Sequence, residues 1–432
     1  MADLRPFRGI RYTPKAGDPA DLMAPPYDVI SPDDHAAMCA QSPHNVVRLI
    51  LGDRPSAAEP PPPDWHPQAN TALQAWLANN MLATDDAPAF YLYTQSFHYQ
   101  NQDRCRKLLF TALKLQPYDA GLVLPHEHTL PGPKADRLRL MQACHANLSP
   151  ILGFFPDHKG EINRRLDTFL DLEPSLAFTD PADMTHELRC IFDPAAHALV
   201  RDPIAPLVFY IADGHHRYET ALAYQRLVHP EAADGDDEQP CDFVLAACMS
   251  TADPGMVIRP THRVIEWTDG PDAAGLLDIA AQWFDIQRLD LTTAAQGVTV
   301  AGEALTQADF VLYAGPSAGY ALLTLRDTRI MADSPHPPTS ILRSMPAPVL
   351  AQAIVAKALA AYGPTVTYTA DGDEAVSLVN EAPTHRVAGL LRSVRPTELM
   401  SVVDAGERMP PKSTYFWPKP LTGIVLRSLE NF

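Results

Sequence analysis

Ile211-Ala212-Asp213-Gly214-His215-His216-Arg217-Tyr218 is the stretch whose reading decides the fold. The apolar run before it, 206–211, reads as a buried strand. Residues 218–228 carry apolar side chains at Tyr218, Ala221, Leu222 and Val228, stop before Pro230, and read as a helix. Asp213 therefore stands where a strand gives way to a helix, with Gly214 permitting a tight bend and close backbone approach. His215, His216 and Arg217 then fall in the first helical turn, where cationic side chains oppose the helix dipole. Exposed N–H groups at that end favour an anion. Such a conflict between local stability and sequence is what a functional site looks like, and the turn is expected to receive a phosphate group or a metal. The plainer alternative is that Asp213 caps the helix and pairs with Arg217, the histidines being surface or core residues.

The rest of the composition sets bounds. The chain has 432 residues, 46% hydrophobic and 20% charged, which suits a globular protein of two or three modules. A formal charge of −18 argues against a general nucleic-acid binder, which needs a basic face. It suits instead a protein that holds a small anion in a local basic pocket. No apolar stretch has the length of a membrane span, so no membrane partner is expected. The opening Met1-Ala-Asp-Leu-Arg-Pro lacks the layout of a signal peptide. The six scattered cysteines, with no Cys-x-x-Cys, fit a reducing compartment. The expected location is the cytoplasm.

Strands and helices interleave along the chain, which indicates a mixed α/β fold. A helix is expected over 32–41, an exposed connector over 54–67, and an amphipathic helix around Leu73, Trp76, Leu77 and Met81. Residues 90–99 and 104–115 read as a hairpin with a longer loop at 100–103. A helix is expected from Leu138 to Leu148, a buried strand over 243–249, and a second hairpin at 310–314 and 320–325. The C-terminal part alternates: strand 365–368, helix 373–379, strand 387–391, helix 397–403.

Further clusters carry chemistry. His126-Glu127-His128 presents a carboxylate able to act as general base for a hydroxyl within hydrogen-bond reach. As a strand it would split His and Glu between faces, as a loop it would free all three, and it also reads as three solvated residues after a proline. Lys134 and Arg137 lie three apart, on one face of the following helix, available for substrate charge or simply solvated. Lys412, Ser413 and Lys419 lie in a proline-framed aromatic turn and, with Arg263, complete a reserve of positive charge. His126, His128, His215, His216 and Asp213 together offer a rival metal-ligand set, provided the two segments meet. No Walker loop, dinucleotide fingerprint or nucleophile elbow is present.

Taken together, Phe7-Arg8-Gly9, the segments 24–32, 124–129, 132–138 and 212–218, Pro260-Thr-His-Arg263 and 409–416 resemble the bacterial and archaeal DUF1015 family over nearly the whole chain. More distantly, the order His126-Glu127, Arg137-Leu138, Pro150-Ile151, Asp213 to Arg217 is similar to the free-serine kinase branch of the ParB/sulfiredoxin-like superfamily. That resemblance implies a ParB/sulfiredoxin-like core at 119–270 with an insertion over about 152–205, flanked by α/β regions at 1–118 and 271–432. It implies Glu127 as the base, with Asp213 and His216 as further catalytic residues. Gly214, His215, His216 and Arg217 would cradle the phosphates of ATP or ADP, with Lys134, Arg137, Lys412 and Ser413 as further contacts. Asp213 would orient the transferred group or its Mg²⁺.

The function expected from these residues is a nucleotide-dependent phosphotransferase acting on a small hydroxylated metabolite, serine being the best example. The alternatives are a metal-dependent phosphatase or hydrolase and a non-catalytic nucleotide-binding regulator. A homodimer is left open.

Overall fold

The computed structural model describes residues 2–129, 131–230, 238–303 and 309–430. The fold is mixed α/β, as expected from the sequence. Contacts divide the chain into two compact units. The first comprises the residues up to Pro125, Thr129–Met256 and the segment from Pro418; the second comprises His126–His128 and Val257–Trp417.

The first unit is organised by a mixed nine-stranded sheet. Its members in chain order are β1 (Leu4–Arg5), β2 (Phe90–Tyr99), β3 (Gln102–Lys114), β4 (Val123–Pro125), β5 (Ile151–Phe155), β6 (Leu176–Thr179), β7 (Thr185–Ile191), β8 (Phe209–Asp213) and β9 (Phe243–Ser250). They lie in the order β4-β8-β5-β9-β3-β2-β7-β6, with β1 added beside the end of β3. Pairing is parallel at β4–β8 and β5–β9 and antiparallel elsewhere. Strand β9 is buried at every position, the signature of a strand covered on both faces. That explains why it reads as an unbroken apolar run. Gly153 in β5 has no room for a side chain, since a Cβ there would lie 2.0 Å from Phe209 Cζ.

Two helices flank the region of interest, α1 (Pro131–Cys144) and α2 (His215–Val228). They pack on each other, and Tyr218 and Ala221 of α2 are buried in the main core. A smaller four-stranded sheet, joining Gly9–Tyr12, Leu82–Thr84, Ala146–Asn147 and Leu426–Ser428, supports the N-terminal helices of the same unit.

Two local expectations change. The hairpin of β2 and β3 turns over Gln100 and Asn101 alone, with Tyr99 paired to Gln102. Both turn residues take positive φ, 50° and 60°, the geometry that matches strand twist in a two-residue turn. Helix α1 starts at Pro131, where a missing N–H costs nothing, and stops at Cys144. His145 then takes φ 46° and the chain enters a strand at Ala146.

The second unit has a six-stranded, wholly antiparallel sheet. After the short β10 (Val257–Arg259) come β11 (His262–Glu266), β12 (Phe284–Leu289), β13 (Phe310–Tyr313), β14 (Tyr320–Leu325), β15 (Thr365–Thr369) and β16 (Arg386–Leu390). The last strand, β17 (Tyr415–Trp417), pairs with β10. The helices Gly372–Glu381 and Pro396–Asp404 occupy the places the alternation predicts. No helix among the described residues is long and apolar enough to cross a membrane.

His262 on β11 is a buried histidine whose Nδ1 accepts the Leu391 N–H at 3.1 Å. Burial, then the positive charges of Arg263 and Arg259, push it down to about 4. The unfolded chain takes up this proton near pH 6.5, so between those values it binds more protons than the folded state. Stability from this residue is therefore complete above about pH 6.5 and is lost as pH falls toward 4, by roughly 3 kcal/mol. Urea unfolding of His262→Gln, which keeps an acceptor, is expected to lose that slope between pH 4 and 6.5.

Candidate functional site

The strand-to-helix turn at 213–217 is built by three local devices. The register between β8 and β5 shifts between Ile211 and Asp213, an irregularity that re-aims the last residue of the strand. Gly214 then adopts φ 87°, ψ 28° as the residue preceding α2 and supplies no side-chain cap. A Cβ at this position would lie 2.9 Å from Arg217 Nε, so both the backbone angle and the close approach require glycine.

The carboxylate of Asp213 is held between two cations. Arg217 Nη2 donates to Oδ2 at 2.7 Å, and Lys419 Nζ donates to Oδ1 at 2.5 Å. All three side chains are largely buried, at 10–15% exposure. Burial acts to raise the Asp213 carboxyl, but the charges of Lys419 and Arg217, the Lys419 hydrogen bond and His215 outweigh it and hold it well below the usual carboxylate range. Arg217 Nη1 also donates to the Pro150 carbonyl. The pairing with Arg217 weighed for Asp213 is present.

Lys419 reaches Asp213 because the segment that carries it is fastened to the main sheet. Arg106 of β3, wholly buried, donates through Nη2 to Gln95 Oε1 and to the Pro418 carbonyl. Gln95 Nε2 donates to the Lys419 carbonyl at 3.2 Å. Gln95 and Arg106 are directly paired across β2 and β3, so both side chains leave the same face. Sequence reasoning missed this pair. Arg106 sits at the polar start of an apolar run and carries no motif.

Other expected residues of the first unit are also paired. Lys134 Nζ and Thr129 Oγ1 both donate to Glu219 Oε2, at 2.8 and 2.7 Å. Arg137 donates to the Ile50 carbonyl and to Asp136, and its guanidinium lies 4.3 Å from the Tyr27 ring centre. Arg137 and Arg217 line one small cavity of about 50 Å³ with Tyr27, Ser149 and Thr220. Two buried polar atoms at its wall, Arg217 Nε and Thr220 Oγ1, have no hydrogen-bond partner among the described residues. By the space one water needs, this volume takes only a few atoms. It matches one small polar or anionic group, not a nucleotide.

Glu127, Lys412 and Ser413 belong to the second unit. His126-Glu127-His128 is neither strand nor helix, since β4 ends at Pro125. His126 Nε2 lies 2.8 Å from Thr414 Oγ1 and 3.6 Å from Glu127 Oε1, and the Glu127 side chain is 25% exposed. Ser413 Oγ donates to the Pro410 carbonyl at 2.6 Å. Lys412 takes φ 58°, and its carbonyl is 3.5 Å from Arg263 Nη2.

A family model described as "Protein of unknown function (DUF1015)" matches residues 4–351. The chain belongs to this family. No curated protein matches. Among solved structures, a conserved hypothetical protein from Pyrococcus furiosus is 11% identical, with 74% of this chain and 93% of that chain covered and a TM-score of 0.34. A variant of free serine kinase in complex with ADP is 10% identical, with 71% and 86% covered and a TM-score of 0.34. SbnI with a C-terminal truncation, from Staphylococcus aureus, is 12% identical, with 72% and 85% covered and a TM-score of 0.35.

Asp213 does not make a ready magnesium ligand. Both of its oxygens are engaged by cationic nitrogens, so a divalent ion would have to displace Lys419 or Arg217. Among the described residues, none of His126, His128, His215 and His216 belongs to a group of three closely spaced metal-ligating atoms.

Replacing Asp213 by Asn leaves two largely buried cations without their counter-charge. The expected loss is about 2–4 kcal/mol in urea unfolding at pH 7, less than for a fully buried pair because some solvent reaches these groups. Because Asp213 is held below its usual range, its contribution is present above that range and lost as pH falls below it. Gly214→Ala is expected to cost at least 1–2 kcal/mol from its positive φ alone.

Proposed function

We propose that this protein is a nucleotide-dependent phosphotransferase that moves a phosphoryl group between ATP or ADP and a small hydroxylated metabolite, with serine the first acceptor to test. The observation that carries this reading is the cationic turn. Two cations converge on one buried carboxylate at the start of α2, beside His215 and His216, and Arg217 also walls a cavity holding unpartnered polar atoms. Phosphoryl transfer asks chiefly for positioning and charge neutralisation, and a helix N-terminus with nearby cations supplies both.

In this reading the main-chain N–H groups that follow Gly214, with His215 and His216, receive phosphate oxygens. Arg217 and Lys419, held in place by Asp213, neutralise them. Asp213 is thus a positioning residue, and no step is routed through a metal at this carboxylate. Glu127 takes the proton from the acceptor hydroxyl. The acceptor oxygen bonds to the terminal phosphorus as the bond from phosphorus to the bridging oxygen breaks, releasing AMP from ADP or ADP from ATP.

The ordered motifs that resemble the free-serine kinase branch, with Glu127 in the first of them, support Glu127 in this role.

The test is turnover of ATP or ADP, supplied as the magnesium complex, with serine and a panel of hydroxylated amino acids, followed by ³¹P NMR. Glu127→Gln is expected to lower turnover at least 100-fold while nucleotide still raises the melting temperature. Lys419→Met is expected to weaken that thermal shift. Wild-type turnover in Glu127→Gln overturns the base assignment. No thermal shift with any nucleotide overturns the phosphotransferase reading itself.

A further inference from the structure

Away from the turn, the far end of α2 meets the start of β9 through three side chains of different donor chemistry. His229 follows the last residue of α2, and Cys241 and Asp242 sit in the short turn Pro240–Asp242 that leads into β9. Cys241 and Asp242 are buried, and the His229 side chain keeps 14% exposure. The imidazole Nδ1 lies 3.0 and 3.1 Å from the two oxygens of Asp242. The ligand atoms of all three residues lie within 4.8 Å of one another.

We propose that His229, Cys241 and Asp242 form a zinc site that ties the end of α2 to the start of β9. A tetrahedral zinc ion sits about 2.0–2.3 Å from nitrogen, oxygen and sulfur donors, which places those donors roughly 3.2–3.8 Å apart. The nitrogen–oxygen separations of 3.0 and 3.1 Å are close to that spacing, and with all three ligand atoms within 4.8 Å of one another no pair needs to close by more than about 1–2 Å. A mixed sulfur, nitrogen and oxygen set excludes the hard ions calcium and magnesium, which take oxygen, and suits zinc. One carboxylate and one thiolate neutralise the ion's two charges. The thiol proton is released to solvent on binding.

The surroundings match what a metal-bound carboxylate receives. Gln225 Nε2 donates to Asp242 Oδ1 at 3.0 Å, and the Gln239 N–H donates to Oδ2 at 2.8 Å. Such outer hydrogen bonds fix a ligating carboxylate. The Cys241 sulfur, by contrast, makes only a 4.0 Å contact with Gln239 Oε1, so turning it toward an ion breaks no strong bond. Arg427 donates to the carbonyls flanking this turn, those of Pro240 and Phe243. Three protein ligands leave the fourth position to water. The rival account is a bare His229–Asp242 ion pair at the C-terminus of the helix, with Cys241 a buried bystander.

Cobalt(II) titration of the chelator-stripped full-length protein separates these accounts. The expected result is one equivalent bound, with a near-ultraviolet thiolate-to-cobalt band and the strong visible absorption of four-coordinate cobalt, both displaced by zinc. Cys241→Ser is expected to abolish the thiolate band, and His229→Gln to weaken affinity at least tenfold, each with the wild-type circular dichroism of the metal-free protein. Absence of binding, binding without the thiolate band, or an unchanged band in Cys241→Ser overturns the proposal. Should a variant not fold, the wild-type cobalt spectrum decides alone.

Discussion

The Asp213 carboxylate, shared between Arg217 and Lys419, is the interaction on which the rest of the proposed site depends. Cations in the first turn of a helix meet the positive end of the dipole and are destabilised there. A carboxylate one residue before the turn reverses the local sign and lets Arg217 stand where it does. The same carboxylate receives Lys419, which comes from far along the chain. One anion thus concentrates two cations at the first turn of α2, the end of a helix that favours an anion. Two cationic side chains share one carboxylate at this turn in a chain of net charge −18.

What holds Lys419 is a second buried cation. Arg106 has Nη2 shared between Gln95 and the Pro418 carbonyl, while its Nε and Nη1 have no partner among the described residues. A guanidinium in such surroundings is strongly desolvated, and burial draws it down to about 10. It still carries its charge at neutral pH. Stability alone would replace it with an apolar residue. Its retention makes sense as a fastening, because Arg106 holds the Pro418 carbonyl and also holds Gln95, which donates to the Lys419 carbonyl.

The strand–turn–helix unit around Asp213 was legible because apolar run, glycine and helical periodicity agree locally. The alternation of strands and helices over 365–404 was legible for the same reason. Gln100 and Asn101 hid a two-residue hairpin turn because neither is glycine, although both take left-handed backbone angles. Helix α1 begins ahead of the apolar spacing that signals it, since Pro131 and Pro133 look like loop residues although the former opens the helix. Lys419 was readable as an anion contact, but its partner was not. The two residues are 206 positions apart, and neither periodicity nor spacing reports a pairing over that distance.

Three buried arginines of the first unit share one task. Arg106 binds the Pro418 carbonyl, Arg427 the Phe243 and Pro240 carbonyls, and Arg217 the Pro150 carbonyl. Each fastens main chain that runs outside the regular pairing of the main sheet or at the end of a strand. Two of the three involve the segment from Pro418, which adds only the short strand Leu426–Ser428 to a sheet. A segment with so little ladder of its own has few backbone hydrogen bonds to hold it, so charged donors do that work instead. The cost of burying those guanidinium groups is thereby linked to the position of Lys419. Any event that frees the C-terminal segment strips Asp213 of one counter-charge and leaves Arg106 without a carbonyl, so the cationic turn and the chain end stand or fall together.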